Sequence, residues 1–175
     1  LAEDISDFEI EGMSIGDSLL DYFSEEEINN SFNYDEYPSD MKFRITEINS
    51  KNKSSLYIAY QFYHKPEDRS FKIHGIKGMI DCKDKKECEK VYEDIKLDLS
   101  TIFKNEKKRE YTFKHPDDKS GKSTVTRTNF IFNLEGMISV LYFDWSDSME
   151  FSNNAAVEID TEEVRNWILS DWGTK

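Results

Sequence analysis

Several features that carry chemistry in other proteins are missing from this 175-residue chain. No apolar run approaches the roughly 20 residues that a membrane-spanning helix needs. The two cysteines, Cys82 and Cys88, are too few for a zinc site built from clustered thiolates. The chain also lacks a glycine-rich phosphate loop. We therefore expect no membrane span, no metal and no bound cofactor.

Histidines are scarce, and their positions do not indicate catalysis. His64, His74 and His115 are separated by strand-type segments, and none has a carboxylate at a spacing typical of a metal site or a proton relay. Asp144, Asp147 and Glu150 offer oxygen ligands of the type that calcium uses, but the run lacks the alternating ligands and central glycine of a calcium loop. We interpret it as a solvated turn and expect no catalytic residues.

Basic residues are absent from the first 40 positions, which contain 13 acidic residues. Residues 41–128 have a net charge of +7 and residues 129–175 a net charge of −7, within a total of −13. The basic residues are densest between Lys104 and Arg127, where a helix end followed by a hairpin explains them. The acidic remainder would repel phosphate, so the sequence argues against nucleic-acid binding.

The two cysteines are separated by five residues at a predicted junction between a strand and a helix. A disulfide between Cys82 and Cys88 can close there, and two buried free thiols are the alternative in a reducing compartment. The start Leu1-Ala2-Glu3-Asp4 suits the end left by removal of a signal peptide, although an engineered boundary would look the same. Together these features favour a periplasmic or secreted, hence extracytoplasmic, protein.

The longest periodic pattern predicts an amphipathic helix over about residues 83–104. Apolar residues recur there at steps of three and four: Cys88, Val91, Tyr92, Ile95, Leu99, Ile102 and Phe103. Segments rich in β-branched and aromatic residues predict strands at 41–48, 56–63, 71–79, 124–134, 137–143 and 155–159. Short polar turns between them favour antiparallel pairing. The prediction is one α+β domain over residues 1–175, with a mainly antiparallel sheet.

The two ends of the chain carry signals for shorter helices. Asp17 or Ser18 can cap one short helix, and Ser24 with Glu27 forms a capping-box pattern for another. Asp160 and Thr161 precede a C-terminal helix over about 161–171 and can supply its cap. Three predicted strands precede each of the two major helices. We take this repeated order as chance, and a duplicated βββα unit is the alternative that stays open.

Aromatic residues among acids and asparagines mark a loop over residues 29–40. Exposed aromatic rings are frequent anchors in binding surfaces. We take this loop as the candidate binding loop, with side chains Phe32, Tyr34 and Tyr37, and the face of the sheet is the alternative place for a ligand or partner.

The opening run from Phe8 to Tyr22, F-x-I-x-G-M-S-I-G-D-S-L-L-D-Y, resembles the start of small secreted bacterial proteins that have no assigned activity. The likeness covers about fifteen residues and brings no functional residues with it. What the resemblance implies is an exported bacterial protein.

The string Gly16-Asp17-Ser18-Leu19 resembles the nucleophile block of the GDSL esterases and lipases. In that family the serine follows a buried parallel strand and is completed by oxyanion donors and a late Asp-x-x-His. Here the preceding strand carries Glu9 and Glu11, and no histidine has an aspartate three residues before it. A helix cap explains Asp17 and Ser18 adequately, and we favour it over the esterase.

Two functions from different classes follow from these patterns. The first is a small extracytoplasmic module that binds a protein or a small-molecule ligand without catalysis. The second is a serine hydrolase of GDSL type that uses Ser18. A histidine within hydrogen-bonding reach of the Ser18 hydroxyl would separate them, and the missing catalytic set favours binding.

Overall fold

The computed structural model describes residues 4–33, 42–132 and 135–172. It has the predicted α+β architecture, with an eight-stranded antiparallel sheet and a separate two-stranded hairpin. The hairpin strands are β1 (Glu9–Ile10) and β2 (Met13–Ser14). The sheet contains β3 (Phe32–Asn33), β4 (Arg44–Asn49), β5 (Ala59–His64), β6 (Gly75–Asp81), β7 (Lys107–Lys114), β8 (Thr124–Phe132), β9 (Gly136–Asp144) and β10 (Asn154–Thr161). The helices are α1 (Glu25–Asn30), α2 (Lys85–Ile102) and α3 (Glu162–Trp172).

The strands of the large sheet run in the order β3-β4-β5-β6-β10-β9-β8-β7. Short connections build one meander from β4 to β6 and another from β7 to β10, as the polar turns in the sequence predict. The two meanders meet where β6 pairs with β10, for example at Ile80 opposite Ala155. This central pairing joins segments that are far apart in the chain.

The first face of the sheet is covered by α2 and by the N-terminal segment. Helix α2 begins after Asp84, whose carboxylate accepts a hydrogen bond from the Glu87 N–H at 2.9 Å. Cys88 and Tyr92 are buried against the sheet, as the periodic stripe predicts. Ile102 is an exception, because it is 58% exposed at the last turn of the helix.

The N-terminal segment covers the rest of this face with short elements. Ser24 and Glu27 form the predicted capping box at the start of α1. A 3-10 turn over Leu19–Asp21 takes the place of the predicted helix after Ser18. Three apolar side chains of the segment, Ile10, Leu19 and Ile28, are buried in the main core.

The second face has apolar clusters at its two ends. Val164 and Trp167 of α3 pack on Phe43, Ile45 and Tyr63 at one end. Val125, Leu141, Phe143 and Ala156 form the other cluster with Phe113 and Trp145. Between the clusters lie four charged side chains, Lys77, Arg127, Glu158 and Asp160, which strand alternation directs to this face.

The helices that follow the two meanders lie on opposite faces of the sheet. Helix α2 packs near Ile80 and Ala155, whereas α3 packs near Ile45 and Tyr63, which strand alternation places on the other face. If the two meanders were copies of one βββα unit, a two-fold axis normal to the sheet would relate them. That axis would keep both helices on one face. The placement of the helices therefore gives the βββα duplication no support.

The disulfide between Cys82 and Cys88 is present, with a Cα–Cα distance of 5.4 Å. It joins the end of β6 to the first turns of α2. Of the helices in the described part of the chain, none is both long and apolar enough to cross a membrane.

Some predicted boundaries shift in the structure. The alternation of apolar and acidic residues over 7–12 predicts a strand, but only β1 forms there, because Glu11 and Gly12 take positive φ values of 54° and 80° and turn the chain into β2. The strands predicted from residues 56 and 71 begin at Ala59 and Gly75. The basic segment after α2 forms β7, a complete edge strand with mostly exposed side chains.

Candidate functional site

A cavity of about 410 Å³ opens on the second face of the sheet, between strands β7 to β10 and helix α3. Polar and apolar side chains share its wall. The lining residues are Arg109, Tyr111, Arg127, Asn129, Ile131, Met137, Asp160, Arg165, Ile168 and Leu169. This volume falls within the range of about 300–1,000 Å³ that is usual for small-molecule sites.

Strand pairing brings the lining residues together. Met137 of β9 stands between Asp160 of β10 and Ile131 of β8 in one row across the sheet. Two residues along, Asn129 is paired with Arg109 of the edge strand. Helix α3 starts directly after β10 and carries Arg165 to the cavity wall.

Arg127 is a polar residue of the cavity wall whose guanidinium is held by two hydrogen bonds and an ion pair. Its Nε donates to the side-chain oxygen of Asn129 at 2.8 Å, and its Nη2 donates to the Ser139 hydroxyl at 2.9 Å. The same Nη2 lies 2.8 Å from Oε2 of Glu158. Burial alone would lower the pKa of Arg127, but the negative charges of Glu158 and Asp160 raise it above its usual value. The guanidinium is therefore charged and fixed in orientation.

Lys77 extends the charged group toward the centre of the sheet. It is paired with Glu158 across β6 and β10, and its Nζ lies 4.8 Å from the centre of the Phe143 ring. Burial lowers the pKa of Lys77, and the nearby carboxylate of Glu158 works against that effect. Lys77 and Arg127 thus place positive charge on two sides of Glu158.

The carboxylate of Asp160 is buried and, unlike that of Glu158, has no cationic group of a described residue within 3 Å. The residue is 1% exposed, and neither Oδ1 nor Oδ2 has a hydrogen-bond partner among the described residues. Its nearest cation is Arg127, whose Nη2 is 3.8 Å from Oδ2. Burial, followed by the charge of Glu158, raises the pKa of Asp160 well above its usual value.

Gly75 provides the space that Asp160 occupies. The two residues are paired across β6 and β10, and a Cβ at position 75 would lie 2.8 Å from Oδ1 of Asp160. A larger residue at position 75 would therefore displace the carboxylate. This close approach explains why β6 begins with a glycine.

Arg165 of α3 adds a further cation to the cavity wall, and it has no close counter-ion among the described residues. Its Nη2 is 3.9 Å from Oε1 of Glu162, a long and partly exposed ion pair. Its Nε is buried and has no hydrogen-bond partner among the described residues. The cavity therefore presents buried, unsatisfied polar atoms from both Asp160 and Arg165, whereas most buried polar groups in proteins are paired.

Comparison of the chain with protein-family models, with curated proteins and with solved structures found no match. The geometry of the cavity is therefore the basis for assigning a function.

The candidate binding loop lies only partly within the described residues. Phe32 lies in β3 at one edge of the sheet and is 63% exposed, paired with Glu47 of β4. Tyr34 and Tyr37 lie outside the described residues. The cavity is lined by other elements, so it is a site separate from Phe32.

The structure gives Ser18 a local structural role. Its Oγ accepts a hydrogen bond from the Leu20 N–H at 3.2 Å, as an N-cap does, and donates to the backbone carbonyl of Ser70. Asp17 accepts from the Ser14 N–H at 2.9 Å and from the Tyr22 hydroxyl at 2.6 Å. The hydroxyl proton of Ser18 is thus held by a main-chain oxygen, not by a base.

The three histidines are held in separate surroundings. His64 is buried, with Nε2 at 2.9 Å from the Thr46 hydroxyl. His74 is 3.9 Å from Glu163, and His115 is 3.7 Å from Asp117. Across the three described ranges, no group of three or more potential ligands is arranged to hold a metal ion.

The sequence did not single out the residues that line the cavity. Arg109 and Arg127 counted only as members of a basic segment, and Asp160 was predicted to cap α3. In the structure the Thr161 hydroxyl makes the cap contact instead, with the Val164 N–H at 3.3 Å, while the Asp160 carboxylate is buried in the sheet. The one available signal was the alternation of Glu158 and Asp160 with apolar residues in β10.

Proposed function

We propose that this protein is a small extracytoplasmic binding module whose small-molecule ligand occupies the cavity between the sheet and α3. The buried carboxylate of Asp160 is the observation that carries this proposal. Asp160 lines the cavity, and neither of its carboxylate oxygens accepts a hydrogen bond from the described residues. A ligand that pairs with this group would remove the energetic cost of leaving it unsatisfied.

The composition of the wall supports binding more than catalysis. The described lining residues include no serine, cysteine, histidine or lysine, so the wall offers no nucleophile activated by an adjacent base. It offers instead a few convergent polar groups set among apolar side chains. That combination is typical of sites that bind a small molecule and fix its orientation.

The disulfide supports the extracytoplasmic part of the proposal. Bonds of this kind persist in oxidising compartments and are rare in the reducing cytoplasm. Cys82 and Cys88 are bonded to each other in the structure. A protein binder at the edge near Phe32 is the other form of the binding hypothesis, and the concave shape of the cavity favours a small molecule.

A fragment screen observed by two-dimensional NMR tests the proposal. We expect bound fragments to shift the backbone amide signals of Arg127, Asp160 and Leu169, which surround the cavity. Replacing Ile131 with Trp would fill the cavity and should abolish these shifts. The matched variant Ile58→Trp changes an exposed isoleucine and should leave them unchanged. Fragments that shift only other surfaces, or that bind Ile131→Trp equally well, would contradict the proposal.

A further inference from the structure

The cavity has an excess of positive charge. Three arginines line it, against the single carboxylate of Asp160. Arg127 is matched by Glu158, but Arg109 has no ion pair with a described residue and Arg165 has only the long contact with Glu162. An anionic ligand would supply the missing counter-charge.

The arrangement of Arg127 leaves donor capacity for a ligand. Its contacts with Asn129, Ser139 and Glu158 use Nε and Nη2. No hydrogen bond joins its Nη1 to a residue in the described part of the chain. Because the other contacts already fix the guanidinium plane, a ligand would lose little free energy in ordering this side chain.

Asp160 is compatible with an anion in its protonated form. Burial raises its pKa and the charge of Glu158 raises it further, while Arg127, Lys77 and Arg165 oppose the shift. A carboxyl group that keeps its proton donates an O–H to a ligand oxygen and does not repel it. In its protonated form the acid therefore adds a donor beside the arginines.

The remainder of the wall is suited to an apolar group. Met137 is buried beside Asp160 in the sheet, and Ile168 and Leu169 of α3 face the same cavity. Ile131 and Tyr111 complete this side of the wall. Leu169 is 60% exposed, so the apolar side of the cavity opens to solvent.

We infer that the cavity binds an organic monocarboxylate with a short apolar body, its carboxylate held by Arg127 and Arg165 and its body against Met137 and Ile168. This inference rests on the proposed function and specifies its ligand class. The planar fork of an arginine matches the two oxygens of a carboxylate, which favours this head group.

Three compounds with one alkyl chain and different head groups test the ligand class. The complete protein is titrated at neutral pH with hexanoate, hexanamide and hexylamine, and the cavity amide signals are followed by NMR. We expect hexanoate to bind about tenfold more tightly than hexanamide, because charge-assisted hydrogen bonds are the stronger ones. Hexylamine should bind most weakly.

Variants then assign the head group to its partners. Arg165→Gln should weaken hexanoate binding about tenfold and leave hexanamide binding nearly unchanged. Arg109→Gln, on the exposed edge strand, should weaken hexanoate binding by a smaller factor of about threefold. The matched control is Arg69→Gln, which changes an exposed arginine outside the cavity and should not alter the Kd.

The possible results separate this inference from the proposed function. If hexylamine binds the cavity more tightly than hexanoate, or if Arg165→Gln binds hexanoate as tightly as the unaltered protein does, the inference is wrong and the binding function stands. The same holds if fragments bind the cavity but none of the three compounds does. If neither the compounds nor any fragment shifts the cavity signals, both conclusions are wrong.

Discussion

Arg127 and Glu158 form an ion pair across an intervening strand, with Nη2 of the arginine 2.8 Å from Oε2 of the glutamate. Arg127 lies on β8 and Glu158 on β10, and β9 runs between them. The small side chain of Ser139, paired with Glu158 on β9, lets the arginine pass and accepts a hydrogen bond from it. This pair fixes the position of Arg127, one of the three arginines that line the cavity.

Replacing Glu158 with Gln should destabilise the protein by about 3 kcal/mol, because Arg127 would keep a buried charge without its partner. Urea unfolding measures the loss. The double variant Arg127→Met/Glu158→Gln should lose less than the sum of the two single variants. Glu93→Gln, which changes an exposed ion pair on α2, should cost less than 1 kcal/mol. If Glu158→Gln lost as little stability as Glu93→Gln, the ion pair of Arg127 and Glu158 would not be buried as described.

The stability of the protein should fall in mild acid because of His64. Burial lowers its pKa to about 4, with Arg44 and His74 adding to the effect and Asp68 opposing it. In the unfolded chain His64 has the ordinary histidine pKa of 6.5, so below that pH the unfolded state binds a proton that the folded state does not. The stability gained from keeping His64 neutral is complete above pH 6.5. As the pH falls toward 4, the free energy of unfolding decreases by about 3 kcal/mol.

Urea unfolding between pH 7 and pH 4 checks this prediction. His64→Gln keeps a hydrogen-bonding group near Thr46 and removes the titration, so its stability should decrease less over the same range. Other titrating groups contribute equally to both proteins. The difference between the two curves of unfolding free energy against pH therefore reports on His64 alone. Parallel stability curves for the two proteins would rule out this role.

Leu99 tests the packing of α2 on the sheet. It is partly buried against both clusters on the first face, so Leu99→Ala should cost about 2 kcal/mol through lost burial and the space left behind. Leu97 is on the same helix and is 66% exposed, so Leu97→Ala is the matched control and should cost less than about 0.5 kcal/mol. Equal losses would mean that the helix packs through a different stripe.

Ser18 should affect stability and not hydrolysis. Removing its hydroxyl in Ser18→Ala deletes the contacts with Leu20 and Ser70 and should cost about 1 kcal/mol. Any background hydrolysis of short-chain nitrophenyl esters should stay the same, because the hydroxyl is engaged with the main chain. Loss of ester turnover at unchanged stability would instead establish Ser18 as a nucleophile.

Local signals explain why the helices and the disulfide could be predicted. The capping box of Ser24 and Glu27, the stripe containing Cys88 and Tyr92, and the short spacing of Cys82 and Cys88 all act within a few residues of the chain. Such interactions are set by backbone geometry and depend little on distant partners. The polar turns similarly predicted the antiparallel meanders.

The cavity depends on contacts that have no local signal. Arg127, Asp160 and Arg165 meet because β8, β9 and β10 pair side by side and because α3 turns back over the face that carries them. Arg127 and Asp160 each had a simpler interpretation, as part of a basic segment and as a helix cap, and no pattern in the sequence singled out Arg165. Their meeting could not be predicted without the strand order.

The amino-acid sequence by itself determined the α+β class, the long helix, the antiparallel meanders and the disulfide, because hydrophobic period, turn chemistry and close cysteines act over short distances. Only the tertiary structure decided that β6 pairs with β10 and that α2 and α3 cover opposite faces. Burial then decided the chemistry of Asp160. A carboxylate that would be an ordinary solvated acid in the open chain becomes a buried group without a hydrogen bond from the described residues, because the folded chain covers it.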